Sequence, residues 1–261
     1  MARRIQSVFT GYVSKKVLLT ILLPLSIAFY FGTLIVAAHF FPLPYDWTVR
    51  AMSNLGSPRD NPGLYWLPCL GLVMSSVLAL PFAGYVERRL RAITPRLART
   101  ACVAFALACV LLLLTGIAPQ HVVPVIGWKR MHEFLARSSA VAFFTGMVCC
   151  CVCALRDRFR VFGGQRSLGT ALPCYWGYAT LLPVGGLAIM GALHFLGQQM
   201  GQAWAEQARL FFQHTMLWHL AFWEWIGSMM IFLFMVVTVL LLPEEIKPTA
   251  AIPASMRRDG S

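Results

Sequence analysis

Glu224 stands in the stretch His214 to Ser228, HTMLWHLAFWEWIGS, inside a run that is otherwise apolar from Met216 to Leu242. Roughly 20 apolar residues cross a bilayer, so this run is long enough to do so. A charge placed there costs about 2.5–3.5 kcal/mol on insertion scales, and such groups face a bundle interior or a water-filled cavity. Helical spacing puts Ala221, Gly227 and Ser228 on the side of Glu224, a small and polar strip suited to close helix packing. That placement fits a structural glutamate bonded to a neighbouring helix and a functional one equally well. Two further groups could work with it. His132 opens another apolar run beside Glu133, and Ser53 lies in MSNLG. In a catalytic reading His132 is the general base, Glu224 its orienting or proton-accepting partner, and Ser53 the hydroxyl that contacts a headgroup or assists acyl transfer. Ser53 has no nucleophile-elbow pattern around it. Asn54, Arg137, His219 and Trp223 are expected to bind substrate around the same centre.

Metal ligation is the competing chemistry for these groups. His214 and His219 are five residues apart, roughly 140° around a helix, and form no same-face chelate. A three-ligand site would need His132, His219 and Glu224 to converge from two helices. Haem ligation by a histidine pair has less support still, and the sequence calls for no cofactor and no metal. All eight cysteines fall within apolar runs, which argues against a disulfide framework. Cys149, Cys150, Cys151 and Cys153 sit too close together on one helix to converge on an ion. They read as small apolar filler, with palmitoylation as the sharper alternative.

The elements that must position these groups follow from composition. The 261 residues are 58% hydrophobic and 12% charged, with a mean hydropathy of +0.67. Soluble domains carry about 25% charged residues, so an all-α polytopic membrane protein is expected. Six apolar runs, 17–41, 64–86, 98–118, 131–155, 171–197 and 216–242, give six transmembrane helices. Residues 1–16 form an N-terminal segment, 17–242 the six-helix domain and 243–261 a polar, disordered tail. With the N-terminus in the cytosol, sixteen basic residues lie on the cytosolic side, among them Lys15, Lys16, Arg88, Arg89, Arg91, Arg96, Arg99 and Arg156. The other side holds six, so the positive-inside rule places both termini in the cytosol. The net charge of +12 then faces anionic inner-leaflet lipid, and nucleic acid is not needed as a partner.

The same topology gathers all six histidines, His39, His121, His132, His194, His214 and His219, on the outer side with Asp46, Asp60, Glu133, Glu206 and Glu224. Pro42, Pro44, Pro58 and Pro62 make the segment after the first span a turn-rich outer loop. RRLRAITPRLAR reads as the inner loop between the second and third spans. Glu133 and Arg137 are four apart and can pair along the fourth. Pro183 is expected to kink the fifth span. GQQMGQAWAEQARLFFQ is expected on the membrane surface.

Four features together resemble the Frag/DRAM/Sfk family of six-span proteins. They are Ser53-Asn54-Leu55-Gly56 with Pro58 in the loop after span one, an apolar span directly following, His132 opening span four in MHEFLARSSAVAFF, and Glu224 before an aromatic residue in AFWEW. A bacterial six-span family of unknown function shares a similar serine–glycine loop and histidine. The first resemblance implies lipid handling in the secretory pathway (Golgi or endoplasmic reticulum) or at the plasma membrane. One branch, the post-GPI-attachment factors, implies remodelling of GPI-anchor lipid, with membrane lipid and GPI-anchored proteins as partners. The competing readings are a non-catalytic membrane organiser or autophagy-type regulator, and a proton-coupled carrier using Glu224 and Arg137.

Overall fold

The computed structural model describes residues 13–118, 126–160 and 171–243, with side chains outside 126–130 and 158–160. Within them the chain is helical, and six helices are long and apolar enough to cross a membrane. These are α1 (Lys15–His39), α2 (Trp66–Leu90), α3 (Pro95–Ile117), α4 (Ile126–Arg160), α5 (Ala171–His194, extended by a π turn Phe195–Gln199) and α7 (Leu220–Leu241). A shorter helix, α6 (Ala203–Phe212), joins α5 to α7. Each spanning helix packs on the next in chain order and α7 returns to α1, so the six close into a ring. Lys15 ties the closure at one end by donating from Nζ to the carbonyl of Leu240 at 2.7 Å. That carbonyl has no partner within its own helix, and a cation there suits the helix dipole.

The ring has two unlike ends. The end carrying Arg88, Arg89, Arg91, Arg96 and Arg156 is called here the arginine end, and the opposite one the histidine end. Toward the arginine end the interior is filled by one aromatic residue from each of five helices. Phe105 lies 5.2 Å from Phe82, 6.4 Å from Phe143 and 6.0 Å from Phe234, centroid to centroid, and Trp176 stacks on Phe234 at 5.8 Å. Trp176 is fully buried, and its indole N–H donates to Thr238 Oγ1 at 2.7 Å, which removes the cost of burying that donor. Glycines let the helices approach this closely. A Cβ at Gly71 of α2 would stand 2.6 Å from the Phe29 carbonyl oxygen of α1, and one at Gly116 of α3 would stand 2.7 Å from the Cys69 carbonyl of α2. Close approach of this kind is how helices associate where lipid offers no hydrophobic drive between them.

The cysteine run behaves as packing. Cys149, Cys150 and Cys153 are buried, Cys153 Sγ accepts from Thr94 Oγ1 at 3.6 Å, and all eight thiols are free.

Several boundaries differ from the sequence reading. RRLRAITPRLAR is mostly helix: α2 runs to Leu90 and α3 starts at Pro95. Pro81 restarts α2 in a first-turn position that needs no N–H, and Pro95 does the same for α3. Arg88 and Arg89 sit in a last turn, where the dipole favours cations. The sixth span begins at Leu220 and not Met216, because Met216–Trp218 is a 3-10 turn and His219 is an extended N-cap. Pro183 lies inside α5, as the expected kink requires, and the helix continues past it. The segment expected on the membrane surface contains α6, whose Trp204, Leu210 and Phe211 are exposed while Glu206 and Arg209 pair with one another. Residues 1–12, His121 and the tail from 244 onward lie outside the described residues.

Candidate functional site

The loop after α1 is short of regular structure yet tightly bonded, and it caps the histidine end. Tyr45 donates to the carbonyls of Arg50 and Ala51 at 2.9 and 3.2 Å. Asn61, 1% exposed, donates from Nδ2 to Leu55 O at 3.0 Å, and the Asn61 N–H reaches Ser57 O at 2.8 Å. Leu55 and Ser57 are fully buried. Asp46 accepts the Thr48 hydroxyl and N–H at 2.6 and 2.9 Å, which holds its carboxyl below the usual range. Burial pushes the Tyr45 phenol up to about 12 from an ordinary 10.0.

Glu224 reaches this cap from α7. It is the fifth residue of that helix, and its Oε2 accepts the Met52 N–H at 3.0 Å. Met52 begins the 3-10 turn Met52–Asn54, so Glu224 holds the turn that carries Ser53 and Asn54. Its other oxygen accepts no hydrogen bond among the described residues and is not sealed from the surface. One turn further in, Ser228 Oγ and the Tyr30 hydroxyl lie 2.9 Å apart, and Met52 Sδ is 3.9 Å from the first and 3.8 Å from the second. Trp225, 7% exposed, lies with its indole N–H near the Tyr45 hydroxyl and completes no hydrogen bond of good geometry. Arg137, whose side chain is 73% exposed, sits 3.5 Å from Glu133 as its spacing suggests, and it is near enough to Glu224 to act on it electrostatically.

The other expected residues are placed differently. His132 is 6% exposed, and its Nδ1 lies 2.7 Å from Ala118 O at the end of α3. A carbonyl only accepts, so Nδ1 carries a hydrogen and donates it. Oε2 of Glu224 is on Met52 and Nδ1 of His132 on Ala118, so the base–carboxylate pair expected from the sequence would have to run through the other oxygen and Nε2. His219 occupies the N-cap position of α7 without a side-chain bond to the helix and stands near Asp46. Trp223 donates to Leu217 O at 2.8 Å and lays its ring against Gly186 of α5. Among the described residues no three His, Cys, Asp or Glu gather around a common point, so His132, His219 and Glu224 do not converge as ligands.

Three contributors escaped the sequence reading: Tyr30, Tyr45 and the Met52 amide. Tyr30 carried a signal, since a tyrosine twelve or more residues into an apolar run is far from the headgroup boundary where such rings collect. A backbone N–H has none. No family model matches the chain, and neither a curated protein nor a solved structure does.

Tyr45→Phe removes the hydroxyl that grips Arg50 and Ala51 and is expected to cost about 0.5–1.5 kcal/mol. Its phenol is raised in the fold, so its stabilising contribution is complete below pH 10 and is lost as pH climbs through about 12. Alkaline melts should therefore separate wild type from Tyr45→Phe at neutral pH and bring the two together above pH 12; a constant difference across that range would contradict the assignment.

Proposed function

We propose that the histidine end of the ring faces away from the cytosol and is a site that binds and remodels membrane lipid, with GPI-anchor lipid as the specific form. The excess of basic residues at the arginine end supports that orientation, because positive charge is retained in the cytosol. The observation that carries the site is Glu224 itself. A carboxylate in a membrane-spanning helix is costly, and here one oxygen is committed to the cap while the other is open. The open oxygen accepts a hydrogen bond or a proton from a headgroup, and Ser53 stands on the turn that the bound oxygen holds in place. His132, whose ring is oriented by its Nδ1 bond to Ala118 O, stands at the same end as the candidate base.

Purified protein incubated with a total lipid extract, followed by mass spectrometry, tests this directly. A species consumed or formed by wild type and unchanged with Glu224→Gln supports the reading; identical lipid profiles with and without wild-type protein would remove it.

A second reading has its own observation. Glu224 and His132 both bind backbone groups, Met52 N–H and Ala118 O, as residues that organise packing do. In that reading the protein is a non-catalytic membrane organiser, and Glu224→Gln, which keeps an acceptor oxygen, behaves as wild type.

A further inference from the structure

α5 is held unevenly. Against α7 it packs near its start, through Trp176 with Thr238, and beyond its middle, through Gly186 with Trp223. Its hydrogen-bonded contact with α4, Thr180 with Cys151, lies toward the arginine end. Between Pro183 and Leu193 it buries no residue, although α4 and α7 continue to the histidine end beside it. An added Cβ at Gly185 or Gly191 would meet nothing within 4 Å, and Val184, Leu187 and Ile189 are exposed, so this half of α5 presents an open, apolar flank. Trp223 against Gly186 sets that flank at the depth of Glu224, one residue further along α7.

The charges at that depth are of both signs. Glu224 in its ionised form offers an oxygen that only accepts, and Arg137, largely exposed, offers only donors. Its contact with Glu133 uses one edge of a guanidinium that has five N–H groups. We infer that the open flank of α5 admits a single phospholipid sideways from the bilayer, with an ethanolamine headgroup whose phosphate meets Arg137 and whose ammonium meets the open oxygen of Glu224. This rests on the membrane-lipid reading above and names a headgroup in place of its GPI-anchor form. A headgroup carrying only negative charge brings nothing to satisfy Glu224. A choline headgroup matches the charges and has no N–H to donate. The primary ammonium does both, and a charge-assisted hydrogen bond is roughly twice as strong as a neutral one.

The test is native mass spectrometry of the purified full chain with dioleoyl phosphatidylethanolamine, phosphatidylcholine and phosphatidylglycerol. Wild type should retain the ethanolamine lipid about tenfold better than the other two, with that preference reduced to near unity by Glu224→Gln or Arg137→Gln. Gly191→Phe, placed where there is open space, should lower binding of all three without changing the melting temperature. Equal retention of the three lipids, or a preference that survives Glu224→Gln, overturns the headgroup assignment. Unchanged binding by Gly191→Phe overturns the sideways access. Turnover of a lipid extract is read separately: Glu224-dependent turnover with a flat headgroup series discards this inference alone, and loss of both discards the lipid reading with it.

Discussion

Glu224→Gln is expected to leave the cap folded and abolish lipid turnover, whereas Glu224→Ala loosens the cap as well. The reason lies in the two oxygens of one side chain. The amide oxygen of glutamine can accept the Met52 N–H in place of Oε2, so the turn that carries Ser53 and Asn54 stays where it is. Alanine leaves that N–H without its acceptor, at a cost of about 1–3 kcal/mol. Hydrogen exchange across 51–61 distinguishes the cases: protection close to wild type for glutamine, and faster exchange at Met52 and its neighbours for alanine. If the glutamine variant exchanges as fast as the alanine one, the negative charge itself holds the cap, and loss of turnover in that variant no longer points to chemistry.

Gly71→Ala is expected to be the most damaging single methyl in the described bundle. The new Cβ would stand 2.6 Å from the Phe29 carbonyl oxygen and would collide with Thr33, which itself donates from Oγ1 to that carbonyl at 2.6 Å. Backbone cannot yield as a flexible side chain can, so α1 and α2 must separate. Overpacking costs typically 1–3 kcal/mol, and here it also breaks the seam between the first two spans. Gly191→Ala, with nothing within 4 Å, is the control and should melt as wild type. A Gly71→Ala protein with an unchanged melting temperature in detergent would mean that α1 and α2 are not packed as described.

The spans were legible because a bilayer demands long apolar runs, and no local feature competes with that demand. Their ends were less so. Met216, Leu217 and Trp218 are apolar enough to extend α7, and nothing in their side chains announces the 3-10 turn that precedes His219. Conversely, Arg88 and Arg89 look like loop and are helix, because charge at the end of a helix is compatible with both. At the site, Glu224 was visible as a carboxylate in an apolar run, and the Glu133–Arg137 pair followed from spacing alone. What spacing cannot give is which backbone group a side chain finds. The Met52 amide and the Ala118 carbonyl have no signature in sequence, and those two groups decide what Glu224 and His132 do. Tyr30 and Tyr45 act across the chain, from α1 to α7 and within the cap, so their roles emerge only when the ring is closed.

The central claim is that the open carboxylate of Glu224 acts on lipid at the histidine end. It is tested most directly by the lipidome of cells that lack the protein, including GPI-anchor lipid where the host makes it. Those cells are supplied with wild type, His132→Ala or Glu224→Gln at matched expression. A lipid species altered by the loss and restored by wild type but not by Glu224→Gln is the predicted result. Restoration by all three would show that these residues hold the bundle together and that the protein organises membrane without transforming it.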